Sequence, residues 1–257
     1  MSRNMSRPVI LLSAAACLVG AGVVQNARAT IINVDYGSAR TTTYLFQGQG
    51  AMLDPDHTNP YWNPAAAIPV SPQTVTNALA SDGATATGVT VTVTGANQAT
   101  SRGSGSTTAA SGLLNAWTNN FLYVTTPLSL DFSITQLPAN VDYTLYIYAV
   151  NGGWAAASPG NRVQNVSVTG GTAHNGISSA SGTQATSFAE GVNYVIFTGS
   201  TGPGGTVNGS ISSNSAVGGG VAAEINGLQI SYVPEPATLG LLAIGGLMML
   251  PRRGQRS

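Results

Sequence analysis

Asp54-Pro55-Asp56-His57 is the densest gathering of groups that could do chemistry in this 257-residue chain. Two carboxylates at i and i+2 on a loop could hold a hard cation through oxygen, as calcium sites do. Only His57 is soft enough to suggest zinc, and no second nearby histidine or cysteine completes such a site. The plainer reading is structural, because Asp-Pro and the following Asn59-Pro60 are turn formers. Calcium at Asp54 and Asp56 and a purely structural loop both stay open, and no other cofactor is implied.

Tyr61-Trp62 follow at once, and Trp117 and Trp154 complete the tryptophans. A flat exposed ring can stack on a sugar while nearby Asp or Asn accepts hydrogens from its hydroxyls. Trp154, in the loop-like NGGWAAASPGN after a strand, is the better candidate. Trp62 is the lesser one, and either ring could instead be a packing anchor. Catalysis finds less support. A Ser–His–Asp triad needs a base histidine, and only His57 and His174 exist. No Gly-x-Ser-x-Gly elbow accompanies them, since GSGS near Gly103 lies in low complexity. Glycosidase chemistry needs two carboxylates across a cleft, and nothing in the sequence selects a pair. Asp35 and Glu224, each in a strand-like segment, are as suited to bonding backbone as to catalysis. Glycine clusters such as VGGG lack the strand-to-helix setting that holds a phosphate. The expectation is a protein without enzymatic activity.

What must position these groups is set by an unusual composition. Charged residues are only 7% of the chain against roughly 25% in ordinary soluble domains. Lysine is absent, and glycine, threonine, serine, alanine and asparagine take the place of charge. Between Thr30 and Tyr232, three arginines face eight acids, a net charge of −5. Neutralising nucleic-acid phosphates needs more cations than that, so nucleic acid is excluded as a partner.

The remaining arginines mark the two ends. Arg3 and Arg7, the apolar PVILLSAAACLVGAGVV and the small–x–small Ala27-Arg28-Ala29 before Thr30 read as a secretory signal with signal-peptidase cleavage. Cys17 invites a lipid-attachment reading, but Ala14 stands where a larger aliphatic residue is preferred and the apolar run continues beyond the cysteine. Cleavage at Ala29 leaves no cysteine and hence no disulfide, so stability must come from an apolar core. At the other end, Val233-Pro234-Glu235-Pro236 precedes 14 uncharged residues, Ala237 to Leu250, and then Pro251-Arg252-Arg253. The run is shorter than the roughly 20 residues that span a bilayer comfortably, but a positive end matches retention on the cytoplasmic side. This three-part tail resembles the PEP-CTERM sorting signal of Gram-negative bacteria. The resemblance implies recognition by an exosortase, transient membrane insertion through the tail helix, cleavage near the signature, and delivery to the cell envelope or extracellular matrix.

Between the addresses, apolar residues alternate. VTVTVT sets Val89, Val91 and Val93 against three threonines, and LSLDFSI sets Leu128, Leu130, Phe132 and Ile134 on one face. In YTLYIYAV, Tyr143, Leu145, Ile147 and Ala149 share a face opposite Tyr146, Tyr148 and Val150, which predicts a central strand. VQNVSVT, YVIFT, TVNGSI and EINGLQISY are further strand candidates, separated by LPANVD, TGGT, EGVN, TGPGG and AVGGG turns. TGANQATSRGSGSTTAASG (94–112), AAASPGN and AHNGISSASGTQ read as surface loops. Short strands without alternating helices predict an all-β, two-sheet sandwich.

The order INVDYG, YWNP, SDGATATGVTVTVTG, ITQLPANVDYTLYIYAVNGG, NRVQNVSVTGGT, FAEGVNYVIFTG and INGLQI resembles the galactose-binding-like jelly-roll domains carried by PEP-CTERM proteins. The expected organisation is therefore a signal helix (1–29), a β-sandwich or jelly roll (30–232) and a sorting segment with a hydrophobic helix (233–257). The expected role is structural or adhesive, in association with exopolysaccharide. The alternatives are a carbohydrate-binding module using Trp154 or Trp62 with Asp54 and Asp56, or a glycan hydrolase.

Overall fold

A computed structural model of the chain describes residues 28–36, 49–65, 71–100, 121–124, 129–149, 163–180, 187–213 and 222–234. These residues lie in one compact unit, Arg28–Pro234. Its architecture is a β-sandwich of two six-stranded sheets with a small third sheet.

The first sheet combines β1 (Thr30–Asp35), β2 (Asn63–Pro64), β8 (Asp142–Tyr148), β10 (Thr172–Ala173), β12 (Tyr194–Ser200) and β15 (Gly227–Tyr232) in the order β10-β12-β8-β15-β1-β2. The second combines β3 (Gln73–Val75), β4 (Thr90–Thr94), β7 (Ser129–Thr135), β9 (Gln164–Val168), β11 (Ser179–Ala180) and β13 (Val207–Ser213) in the order β11-β9-β13-β7-β4-β3. Neighbours in both sheets run antiparallel except β1 and β2, which are parallel. The third sheet is β14 (Ala223–Ile225), β6 (Phe121–Val124) and β5 (Gln98–Thr100), in that order.

Alternation decides which side of each strand is buried. Val91 and Val93 of β4, Leu130, Phe132 and Ile134 of β7, and Val166 and Val168 of β9 turn inward from the second sheet. Ile32 and Val34, Leu145 and Ile147, Val195 and Phe197, and Leu228 and Ile230 meet them from the first sheet. Together they form one continuous core, as two sheets stacked about 10 Å apart require. β8 is flanked by β12 and β15, and both its faces carry apolar or aromatic residues as its sequence predicts.

Three segments differ from the sequence expectation. The stretch 94–112 begins as a strand, because Gln98–Thr100 pairs with β6 in the third sheet; its threonine- and glycine-rich composition masks that pairing. EINGLQISY is not one strand but two. Asn226 separates β14 from β15, donating its backbone N–H to Tyr148 O and accepting from Tyr36 N, both at 2.8 Å. The loop-like AHNGISSASGTQ contains the end of β10, a 3-10 turn over His174–Gly176 and β11. Predicted turns do occur where positive φ is needed: Gly170 in TGGT, Gly191 in EGVN, and Gly202 and Gly205 in TGPGG. Among the described residues no helix is long and apolar enough to cross a membrane.

Candidate functional site

Asp54 is only 6% exposed, and its carboxylate is taken up by its own loop and by Ser81. One oxygen accepts the Asp56 N–H at 2.9 Å, and the other lies 2.8 Å from His57 Nδ1. Gln49 closes the loop from outside, accepting from Asp54 N at 2.9 Å and donating to the carbonyls of Asp54 and His57. Burial works against ionisation of Asp54, but hydrogen bonds from Ser81, His57 and the Asp56 amide outweigh it and hold the carboxyl below its ordinary range. Asp56 points elsewhere, to an exposed ion pair with Arg28 at 3.1 Å. The two carboxylates thus serve different partners, and no group of three or more His, Cys, Asp or Glu gathers for a metal among the described residues.

Trp62 is 1% exposed, so it has no ring face to offer a sugar. Its indole meets Tyr148 edge-on, with centroids 6.2 Å apart, in a small aromatic cluster on the outer side of the first sheet. Beneath it runs a buried polar lattice that fixes the 49–65 segment to that sheet. Gln229 accepts from Tyr148 Oη and from Met52 N at 3.1 Å, and its amide donates to Asn33 Oδ1 at 2.8 Å. Asn63 donates to the carbonyls of Asn33 and Leu79 at 2.9 and 2.8 Å and accepts from Leu79 N at 2.8 Å. YWN is therefore a latch, with Trp62 as packing anchor and Asn63 as its hydrogen-bonding partner. Trp154 lies outside the described residues, as do Ala27, Glu235, Pro236, Arg252 and Arg253; Ala29, Thr30, Val233 and Pro234 are described at the two ends of the unit.

Both histidines pair with carboxylates. His174 Nδ1 lies 2.9 and 3.0 Å from the two Glu190 oxygens, and His57 holds Asp54. Burial first, and the Glu190 charge after it, raises the Tyr146 phenol; Tyr194 is raised by burial, then Tyr146, then Glu190. Neither imidazole has a serine hydroxyl bonded to it among the described residues, so a triad is not assembled there.

Among the described residues, one gathering of outward polar side chains is not singled out by the sequence. On the outer face of the second sheet, cross-strand pairing places Thr94 beside Asp131, Asp131 beside Ser210, and Ser210 beside Ser167. A second row joins Thr92 to Ser133 and Ser133 to Asn208, and Thr169 N donates to Asn208 O at 2.8 Å. These eight side chains line a shallow groove of about 400 Å³. Ser167 and Ser210 share a hydroxyl bond at 2.9 Å, and Thr92 bonds Thr74 at 3.3 Å. Asp131 stands exposed in the middle of its row, with no cation in the lining. Such a surface offers hydroxyl, amide and carboxylate groups at sheet spacing, roughly 4.8 Å across strands and 6.7 Å along them. The one visible signal was the outward threonines of VTVTVT and the polar alternates of LSLDFSI. Register alone brings them together.

No protein-family model matches this chain, and no curated protein matches it either.

Proposed function

We propose that this chain is an exported, non-enzymatic surface or matrix protein that adheres to neutral extracellular polysaccharide through the groove around Asp131. The observation that carries this reading is the groove itself: hydroxyls, Asn208 and one carboxylate spread over four strands. A sugar chain presents hydroxyls that donate and accept, and Asp131 would accept from them while the serine and threonine hydroxyls do both. The lining has no cation to select phosphate or sulfate, and neutral polyhydroxylated ligands fit the low charge of the whole domain.

The address is part of the same proposal. The leader 1–29 would be removed by signal peptidase. The tail from Val233-Pro234-Glu235-Pro236 through Arg252-Arg253 would hold the chain in the inner membrane of a Gram-negative bacterium until an exosortase cuts it and passes it to the envelope or matrix. The galactose-binding-like resemblance belongs to this reading too. Its support in the fold is that Thr30 pairs with Tyr232, so both proposed cuts fall beside each other at the end of one strand pair. Neither cut removes a described core residue.

The test is affinity electrophoresis of the exported protein in gels containing the host's own exopolysaccharide, with calcium and with chelator. Asp131→Ala should weaken retardation roughly tenfold, the scale of one hydrogen bond to a charged group. Binding that survives Asp131→Ala but disappears in Trp154→Ala would move the site to that loop, and dependence on calcium would return Asp54 and Asp56 to consideration. No retardation at all would sink the adhesive reading. The intact mass of the exported protein tests the address: it should begin at Thr30 and end near the Pro-Glu-Pro signature.

A further inference from the structure

The sandwich has a second groove of related chemistry on its opposite side. On the outer face of the first sheet, Thr172 pairs with Thr198, Thr198 with Thr144, and Thr144 with Ser231, a row of hydroxyls across four strands. Asp142, exposed at the start of β8, stands two residues before Thr144 on the same face. These side chains line a groove of about 500 Å³, which like the first contains no cationic residue.

Because the two sheets enclose one core, the two grooves face away from each other. We propose that a single molecule grips two polysaccharide strands of the same neutral kind, one on each outer face, and thereby crosslinks them. This rests on the adhesive reading of the Asp131 groove and extends it to a second site. Two weak sites on a polymer gain from each other, since the second engagement is intramolecular once both strands are held in one network.

The experiment compares the exported protein with Asp131→Asn, Asp142→Asn and the double variant, using an oligosaccharide cut from the host polymer and the intact polymer. Calorimetry should give two oligosaccharides per chain in the wild type, with one site weakened roughly tenfold in each single variant and both weakened in the double. Viscosity of the polymer solution should rise with wild type and not with either single variant, although each still binds the polymer. Thr198→Trp, a bulky change at an exposed position, should fill the second groove and reproduce Asp142→Asn. A stoichiometry of one, abolished by Asp131→Asn and untouched by Asp142→Asn and Thr198→Trp, overturns the crosslinking proposal and leaves the adhesive reading standing. Absence of any binding overturns both.

Discussion

Single residues carry two kinds of duty in this sandwich, and they respond differently to change. Gly209 lies in β13, directly opposite Phe132 and beside Val168. A Cβ there would fall well inside contact distance of Phe132 Cζ and of the Ser167 carbonyl oxygen, so neither ring nor strand has room. Gly209→Ala should destabilise by about 1–3 kcal/mol, measured by urea unfolding, with the slope unchanged. Asp82 represents the other kind. The Thr85 hydroxyl, then the Thr85 and Ala84 amides, bond its carboxylate and lower its pKa to about 2. A folded value below the unfolded one, about 3.9, favours the ionised form in the native state. The contribution is fully present above pH ~4 and fades as pH falls toward ~2. Asp54, also lowered, acts in the same sense. Asp82→Ala should therefore lower stability at pH 6 and flatten its decline below pH 4, read from thermal unfolding across that range. Residues of the first kind could be read in part from sequence, as Trp62 was, since a packing anchor was one of the two roles open to it. Asp131 could not be read at all. Its meaning comes from Thr94 and Ser210 on either side, and neither neighbour is near it in the chain.

Strands were legible wherever one face is apolar and the other polar. β4, β7 and β9 alternate cleanly because one side meets the core and the other water. β8 was legible as central because both its faces are covered, by the core on one and by Trp62, Phe188 and Tyr194 on the other. The pieces that escaped are those of two to four residues, β2, β3, β5, β6, β10 and β11, too short for a period to show. Four of them occupy the margins of the two large sheets: β10 and β2 on one, β11 and β3 on the other. Short marginal strands leave few unpaired amides for another chain to extend, which replaces the charged edge residues this composition lacks. Hydrogen exchange should follow the same division. Amides of β8, β13 and β15, bonded on both sides, should exchange slowest, and those of β10 and β11 at least ~100-fold faster. Equal protection across these strands would mean that the margins are anchored by something other than their ladders.

At the scale of the molecule, a domain without cysteine depends on burial alone. Cys17 is the only cysteine and precedes Arg28, so reducing agent should leave the unfolding of residues 28–234 unchanged. That fragment holds the described core in full and should unfold in one cooperative step, by circular dichroism, at the temperature found for the whole chain. A lower or broader transition would show that the excluded segments support the sandwich. The sandwich was legible in outline because short alternating runs follow one another with no helical periodicity between them. The two grooves were not, because they exist only after distant strands are laid side by side.

The pairing of Thr30 with Tyr232 also fixes how the molecule would carry load. β1 and β15 run antiparallel with their outer ends together, so tension applied through both termini would part their hydrogen bonds one after another, like a zip, at low force. Tension that enters through a face and leaves by one terminus does not draw on that pair in this way. It is spread across the ladders that flank β15 on both sides. A sandwich strung this way would be fragile when stretched end to end and sturdier when load enters on the flat of a sheet.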